Sequence, residues 1–234
     1  MKAVLATGHG VHVTETTTML DGSEERGERL RKGVFEFDAK GGVKALDVTT
    51  TGGEYGRERA IGFNYDIGGR GYQSGGFAGK WLKKGKTWWR NDYQLYLSHT
   101  DLLGYDEQIV NPAEPATLAA LLKNGERSGD TVSGAITFRQ LERVSRWAEH
   151  STHGGWDPDT RLSYTLTLTS AGLVSRVRSS FTFSEGLEEL IGRTVHVDTR
   201  YSEWSGKVSI KAPDPRKTTS ELCIEGLCNW RLPS

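Results

Sequence analysis

The sequence has no excess of charge of either sign. Its 234 residues contain 30 Lys and Arg and 30 Asp and Glu, so the formal net charge is zero at pH 7. Proteins that depend on phosphate contacts usually carry a basic excess or a strongly basic face. Because acidic residues are spread along the whole chain, we expect no nucleic-acid partner.

Long apolar runs are also missing. The longest, LAALL at 118–122, is far too short to cross a bilayer. No signal-peptide pattern is present, and the chain starts MKAVLATGHG, which enters a structural element at once. We interpret this start as that of a cytoplasmic protein or of a mature region separated from its leader.

Cysteine is scarce, with only Cys223 and Cys228, both in ELCIEGLCNW. A disulfide is the preferred interpretation, free thiols come second and a zinc site last, because no further His or Cys lies nearby to complete four ligands. A bridged pair would fit an oxidising compartment. We predict no metal site and no cofactor.

Sequence motifs for catalysis are missing as well. GGFAGKW resembles the end of the phosphate-binding motif G-x-x-x-x-G-K-[ST]. However, Ser74 occupies the position of the motif's first glycine, and Trp81 occupies the position of its Ser or Thr. Neither G-x-G-x-x-G nor a G-x-S-x-G nucleophile elbow occurs. One polar loop, at 150–160, could hold a metal or an acid–base pair through His150, His153, Asp157 and Asp159. A turn built on Asp-Pro-Asp is the interpretation that we prefer, so no catalytic residue is assigned.

Glycine and aromatic residues, in contrast, are abundant. The chain has 29 Gly, 7 Trp, 8 Tyr and 7 Phe, and the rings are distributed throughout, which excludes a disordered chain. Short Thr-rich alternations between glycines predict strands and turns. Strands are predicted at 11–20, around GVFEFDA, at 43–51, around IGFNYDIGG, at 129–138, in the hairpin 161–183 and at 194–206.

Two helices are predicted in the middle of the chain. NPAEPATLAALLKNGE has a Pro- and Glu-rich start and an Asn-Gly stop, with Leu118, Leu121 and Leu122 on one face. RQLERVSRWAEH predicts a second, shorter helix. Since no linker or repeat divides the chain, we expect one domain over 1–234, with a C-terminal tail from about 212 to 234.

The stretch WLKKGKTWWR, residues 81–90, combines tryptophans with lysines. Such a mixture could stack nucleic-acid bases. A β-hairpin is the interpretation that we prefer, with KKGK at the turn and Gly85 supplying a positive φ. Adjacent strand residues point to opposite faces, so one of Trp88 and Trp89 should pack inward and the other outward.

Several segments in this order resemble a known family. They are KAVLAT running into a Thr-rich strand, KWLKKGKTW, PATLAALLKNGE, GDTVSGAITF, DTRLSYTLTLTSAGLVSRVRSSFTF and DTRYSEWSGKVSIKAPDP. Together, over roughly 1–215, they resemble the LppX/LprG-type lipoproteins of actinobacteria, which share a superfamily with LolA. The resemblance implies an α+β fold: a strongly curved antiparallel sheet, or half-barrel, with helices across its concave face and an apolar cavity between.

The resemblance also implies a function. Family members bind acylated lipids or glycolipids in the cavity and carry them across the cell envelope, anchored through a lipidated N-terminal cysteine. This sequence shows no such cysteine, and its paired cysteines and its 150–160 loop are not family features. Residues that could line the cavity, or simply pack in the core, are Phe63, Tyr65, Trp81, Leu118, Leu121, Leu122 and Tyr164.

Three functions follow from these observations. The leading one is a non-catalytic, monomeric carrier of a lipid or other hydrophobic ligand on the extracellular face of the envelope, lipid-anchored in its native form. The second is an enzyme for an apolar natural product that uses the same cavity, with the 150–160 loop or a lone tyrosine supplying an acid or base. The third is an envelope sensor or scaffold whose Trp/Lys hairpin meets a membrane or protein partner through Trp88, Trp89, Lys83, Lys84 and Lys86.

Overall fold

Most of the chain is extended, as its short alternating segments predict. The structure, a computed structural model, describes residues 5–6, 8–39, 42–52, 56–63, 70–91, 107–151, 156–185, 188–224 and 227–230. Tyr65 and most of the segment KAVLAT lie outside these ranges. Within them, no helix is long and apolar enough to cross a membrane.

Fourteen strands are described. They are β1 (His9–Asp21), β2 (Glu24–Phe37), β3 (Val43–Thr51), β4 (Glu58–Phe63), β5 (Arg70–Gly75), β6 (Trp88–Asn91), β7 (Glu126–Ser128), β8 (Thr131–Thr137), β9 (Arg161–Leu168), β10 (Val174–Thr182), β11 (Thr194–Lys207), β12 (Thr218–Thr219), β13 (Leu222–Ile224) and β14 (Leu227–Trp230). The helices are α1 (Gly76–Lys80), α2 (Pro115–Asn124), α3 (Phe138–Glu142) and α4 (Arg146–Ser151), with 3-10 turns at Glu188–Leu190 and Pro215–Lys217.

Twelve of these strands form one sheet, in the order β12-β6-β5-β4-β3-β2-β1-β11-β10-β9-β8-β7. All pairs are antiparallel except β12 with β6, and β13 and β14 form a separate hairpin. The sheet is curved and unclosed and carries few helices, which confirms the predicted α+β fold class. Strands β1 and β11, from opposite ends of the sequence, meet at its centre.

Bulges accompany the curvature of the sheet. The pairing register shifts at Gly10/His12 between β1 and β11, at Met19/Leu20 between β1 and β2, and at Val174/Arg176 between β10 and β9. A bulge adds one residue to one strand, which bends that strand and increases its local twist. The long central strands are therefore bent at the points where the register changes.

One face of the sheet is covered by residues 107–124 and 138–151, which we together call the covering segment. These residues form an irregular start and the helices α2, α3 and α4, whereas β7 and β8, which lie between α2 and α3 in sequence, are the last two strands of the sheet itself. Leu118 and Leu121 of α2 are buried in the main core, but Leu122 is 40% exposed, so the prediction that it shares their face was wrong. Leu121 lies at the centre of the buried stripe, and the next residue is turned about 100° away from it.

The second predicted helix, RQLERVSRWAEH, is divided into α3 and α4 by a turn. Thr137 and Gln140 form a capping box that starts α3. The carboxylate of Glu114, at the start of α2, accepts hydrogen bonds from the Trp147 amide (3.0 Å) and from the Ser145 hydroxyl. This carboxylate satisfies an amide that the start of α4 would otherwise leave without a partner, and it ties α4 to α2.

The Trp/Lys stretch is not the predicted hairpin. Gly75 and Gly76 both have positive φ (77° and 56°) and end β5, and the helix α1 follows them. The turn at Lys83–Lys86 is present, with Gly85 at φ 83°, but β6 pairs with β5 and not with the residues before the turn. The hairpin prediction was wrong because two left-handed glycines change the direction of the chain before Trp81.

Gly33 provides a test of how closely the central strands pack. A Cβ at Gly33 in β2 would lie 2.2 Å from the Asp47 carbonyl oxygen, whereas one at Gly27 in the same strand would meet nothing within 4 Å. We expect Gly33→Ala to lower the free energy of unfolding by about 1–3 kcal/mol and Gly27→Ala to leave it nearly unchanged. Urea unfolding curves compare the two variants, and equal midpoints would contradict this packing.

Candidate functional site

A row of buried polar residues crosses the covered face at the centre of the sheet. Arg31 on β2, Glu15 on β1 and Thr199 on β11 are direct cross-strand neighbours. All three are buried, on the same side as Val13 and Phe35. The alternation that puts Val11 and Val13 inward thus also carries a glutamate into the interior.

Two carboxylates share the one guanidinium of this row. Arg31 Nη1 donates to Glu15 Oε1 (2.8 Å), and Arg31 Nη2 lies 3.2 Å from Oε1 of Glu107. The Thr199 hydroxyl donates to the second oxygen of Glu15 (2.8 Å). Glu107, only 1% exposed, belongs to the covering segment. Because a charge is costly to bury without a partner, this group links the cover to the sheet.

Gln108 makes the second set of bonds between the cover and the sheet. Its Nε2 donates to the Thr199 hydroxyl (3.2 Å), and its Oε1 accepts from the Ser179 hydroxyl (2.7 Å) and from the Val110 amide (3.2 Å). Its backbone oxygen accepts a hydrogen bond from the Trp147 indole (2.8 Å). These bonds satisfy polar groups of an irregular segment that is buried from 107 to 113.

A small pocket lies between this segment and the sheet. Its apolar walls are Val13, Phe35, Val48, Val110 and Trp147, and its polar lining is Glu15, Arg31, Gln108, Asn111, Thr199 and Tyr201. The Phe35 and Trp147 rings are 5.4 Å apart between centroids. The volume open to the centre of a water molecule is about 10 Å³, which is room for a single water.

Asn111 and Tyr201 add hydrogen-bond donors to those of Arg31 and Gln108 in the pocket lining. Asn111 is 2% exposed; its Oδ1 accepts from the Ala113 amide (2.9 Å), and its Nδ2 has no partner among the described residues. Burial raises the pKa of Tyr201 well above its ordinary value, and the negative charge of Glu15 raises it further, against the opposing charge of Arg31. The Tyr201 hydroxyl is therefore protonated at neutral pH and can donate.

Among the described residues, none of those predicted to line a cavity lines this pocket. Leu118, Leu121 and Tyr164 do come together, but in the packed main core, where the Tyr164 hydroxyl donates to the Leu121 carbonyl (2.9 Å). Trp81 packs in a separate cluster with Ala78, Trp89 and Leu222. Phe63 is half-buried with its ring edge toward Tyr72, at 6.1 Å. A ligand-lining role for these residues stays a prediction.

The residues that do line the pocket's polar end were missed from the sequence. The sequence pattern could have identified two of them. Glu15 alternates with the same period as the buried Val11 and Val13, and Arg31 with the same period as the buried Phe35. Charged residues in the inward phase of adjacent strands predict a buried pair. Glu107, Gln108 and Asn111 lie in irregular chain, where no periodicity marks the inward positions.

The aspartates of the 150–160 loop have structural partners. Asp157 accepts from the Ser184 hydroxyl (2.8 Å) and from the Asp159 amide (2.9 Å), and Asp159 forms an ion pair with Arg139 (3.0 Å). The His150 side chain and His153 lie outside the described residues. Across the described ranges, no three His, Cys, Asp or Glu side chains cluster as metal ligands would.

The C-terminal segment covers the edge of the sheet beside β6. We call residues 214–224 the C-terminal strap. Its β12 pairs with β6, its Lys217 carbonyl accepts from the Thr87 amide (2.9 Å), and its Cys223 amide donates to the Trp81 carbonyl (2.7 Å). Leu222 is fully buried against Trp89. An exposed edge strand invites association with other chains, and the strap closes this edge.

The Trp/Lys stretch is largely occupied in binding this strap. Lys83 forms an ion pair with Glu221, and the Lys86 ammonium donates to the Arg216 carbonyl (2.9 Å). Trp89 is buried, whereas Trp88 is half-buried on the other face with the Arg59 guanidinium 5.6 Å from its ring centre. Lys84 is exposed. A membrane or partner contact through these residues stays a prediction.

Removing Arg31 should be far more costly than removing a surface arginine. Arg31→Met leaves two buried carboxylates without their shared cation, so we expect a loss of about 3–5 kcal/mol in the free energy of unfolding. The matched control is Arg59→Met, because the Arg59 side chain is half exposed and a solvent-accessible ion pair should contribute about 0–1 kcal/mol. Urea unfolding measures both; equal losses would show that the buried group does not hold the fold.

The cysteines give a test of the strap. Cys223 and Cys228 form a disulfide that closes the β13–β14 hairpin. A disulfide that closes a loop this short stabilises the folded hairpin by roughly 2 kcal/mol. The double variant Cys223→Ser with Cys228→Ser should therefore speed amide exchange in the strap by about tenfold or more. Amides of β1 and β11 serve as the internal control. Unchanged exchange at Thr218 and Thr219 would mean that the hairpin does not hold the strap.

No protein-family model matches the sequence, and no curated protein matches it. Several solved structures are similar to it, among them the following two. One is a DUF1329 family protein from Desulfovibrio piger, at 8% identity and a TM-score of 0.37, with 86% of this chain and 89% of that chain covered. The other is the LppX lipoprotein of Mycobacterium tuberculosis, at 11% identity and a TM-score of 0.37, with 87% and 90% covered. Neither likeness bears on what this chain binds.

Proposed function

We propose that this protein is a non-catalytic carrier that holds a hydrophobic ligand between the covered face of its sheet and the covering segment. The observation that carries the proposal is the amphipathic pocket at that interface. Its walls are apolar side chains, and its polar end offers a small number of fixed groups. Ligand sites have this composition, with apolar walls for affinity and few polar groups for orientation.

The polar end favours a neutral acceptor group on the ligand. Asn111 Nδ2 and the Tyr201 hydroxyl are donors, so a carbonyl, ester or ether oxygen would complement them. A carboxylate would add a third negative charge beside Glu15 and Glu107, which already share a single guanidinium. An apolar chain with an uncharged polar end is therefore the proposed ligand.

Entry of such a ligand requires the cover to move, because the pocket has room for only one water. The cover's irregular start is held to the sheet by side-chain bonds of Glu107 and Gln108 and not by a strand ladder. Moving it breaks side-chain bonds and leaves the strand pairing of the sheet intact. We propose residues 107–113 as the part that opens.

The sequence resemblance supports the finer parts of the proposal. They are transport of a lipid or glycolipid, a place on the extracellular face of the envelope, a lipid anchor on the native protein and a monomeric state. A disulfide between Cys223 and Cys228 is compatible with an oxidising compartment. The enzyme alternative gains no support from the loop aspartates, which form structural bonds.

Recovery of the ligand tests this function. We expect organic extraction and mass spectrometry of protein purified from a lipid-producing host to yield a bound apolar molecule near one per protein. Asn111→Leu removes the free donor and should weaken binding of a fluorescent acyl ester roughly two- to tenfold, as expected for one hydrogen bond. Asn124→Leu, at the exposed end of α2, is the matched control. No extractable ligand together with no probe binding would overturn the carrier function.

A further inference from the structure

A row of cations crosses the outer face of the sheet, on the side away from the covering segment. Arg176 on β10, Arg200 on β11, Thr14 on β1 and Lys32 on β2 are successive cross-strand neighbours. At about 4.8 Å between strands, the row from Arg176 to Lys32 spans roughly 14 Å. Arg178 lies two residues along β10, opposite Asp198.

This arrangement is electrostatically unfavourable for the folded chain alone. Arg176 and Arg200 are directly opposite each other, and like charges in that position destabilise a strand pair. Asp198 is the carboxylate that lies among these cations, and it accepts two hydrogen bonds from the Arg176 guanidinium. Its pKa is lowered first by that hydrogen bond and also by the charges of Arg200 and Arg178. Four cations around one carboxylate leave a clear positive excess.

The other three cations are exposed. Lys32, Arg178 and Arg200 form no ion pair within the described part of the chain, and solvent reaches all three. The hydroxyls of Thr14, Thr16 and Thr165 lie among them on neighbouring strands. Because the whole protein is neutral, this local excess would orient it toward an anionic partner.

We propose that this outer face, formed by Lys32, Arg176, Arg178 and Arg200, docks the protein on the surface of an anionic lipid bilayer. A broad sheet face presents its cations side by side, which suits a layer of phosphate head groups. It does not fit a DNA major groove about 12 Å wide. Threonines, not aromatic rings, lie between the cations, so the face also lacks the stacking platform that single strands require.

This surface is separate from the Trp/Lys stretch and independent of the proposed ligand. Lys83 and Lys86 bind the C-terminal strap, whereas the outer-face cations are available to solvent. Docking on a bilayer needs no pocket, so failure of the carrier function would leave this surface untouched. The two membrane-contact hypotheses therefore name different residues and can be separated by substitution.

Vesicle co-sedimentation tests the proposal. We expect the protein to bind vesicles of phosphatidylcholine mixed with phosphatidylglycerol, to bind pure phosphatidylcholine much less, and to lose binding at high salt. Lys32→Gln with Arg200→Gln should weaken binding about fivefold for each cation removed, and Arg178→Gln alone about fivefold. Lys123→Gln with Arg143→Gln, two exposed cations of the covering segment, should leave it unchanged. Thermal melts check that each variant is folded.

Three results would overturn the proposal. The first is unchanged vesicle binding by both outer-face variants. The second is an equal loss in the Lys123 and Arg143 control, which would mean that net charge and not this face attracts the membrane. The third is wild-type binding to a single-stranded oligonucleotide or to heparin as tight as to the mixed vesicles at the same salt, which would identify the face as a site for soluble polyanions.

Discussion

The structure depends on one buried guanidinium. Arg31 holds Glu15 of the neighbouring strand and Glu107 of the covering segment, so a single cation joins the sheet to its cover. Ions cost several kcal/mol each to bury, and the cost is offset only when geometry and additional hydrogen bonds are good. Thr199 supplies one such bond to Glu15. The pair also fixes the register: if β1 slipped by one residue against β2, Glu15 would move to the outer face and leave Arg31 buried without it.

The same period-two alternation gives the two faces opposite charge. Glu15 points inward and shares Arg31 with Glu107, whereas its neighbour Thr14 points outward between Arg200 and Lys32. In this part of the described sheet, the covered side has two carboxylates to one guanidinium, and the outer side has four cations to one carboxylate. A neutral net charge in the sequence hides this separation, because composition averages over faces. Charge balance excluded a strongly basic protein, but it could not exclude a basic face.

Sequence periodicity predicted the strands well because an alternating strand buries one side wherever it stands in the sheet. β3 has the predicted bounds at 43–51, and the 161–183 hairpin is present as β9 and β10. The site was far less predictable. Glu107, Gln108 and Asn111 are buried in irregular chain, where only tertiary contact decides what is inside. The Trp/Lys stretch was misread for a related reason: its lysines look like a solvated turn, yet Glu221 and the Arg216 carbonyl, some 130 residues later, are their partners.

The placement of the strap and of the cover suggests how the fold can open at one place and stay closed at another. The strap joins β6 through a short parallel pairing, a buried leucine and lysine bonds, so several independent contacts must break together to expose that edge. The start of the cover is held by the polar groups of Glu107 and Gln108 around Arg31, and its backbone is not paired with the sheet. A ligand oxygen that accepts hydrogen bonds from Asn111 and Tyr201 would replace some of the hydrogen bonds that break when the cover moves away from the sheet. We therefore propose that the fold opens at the start of the cover and not at the strap, because bonds to a ligand can take the place of side-chain bonds there, whereas a ligand in the pocket offers nothing to the strand pairing of the strap.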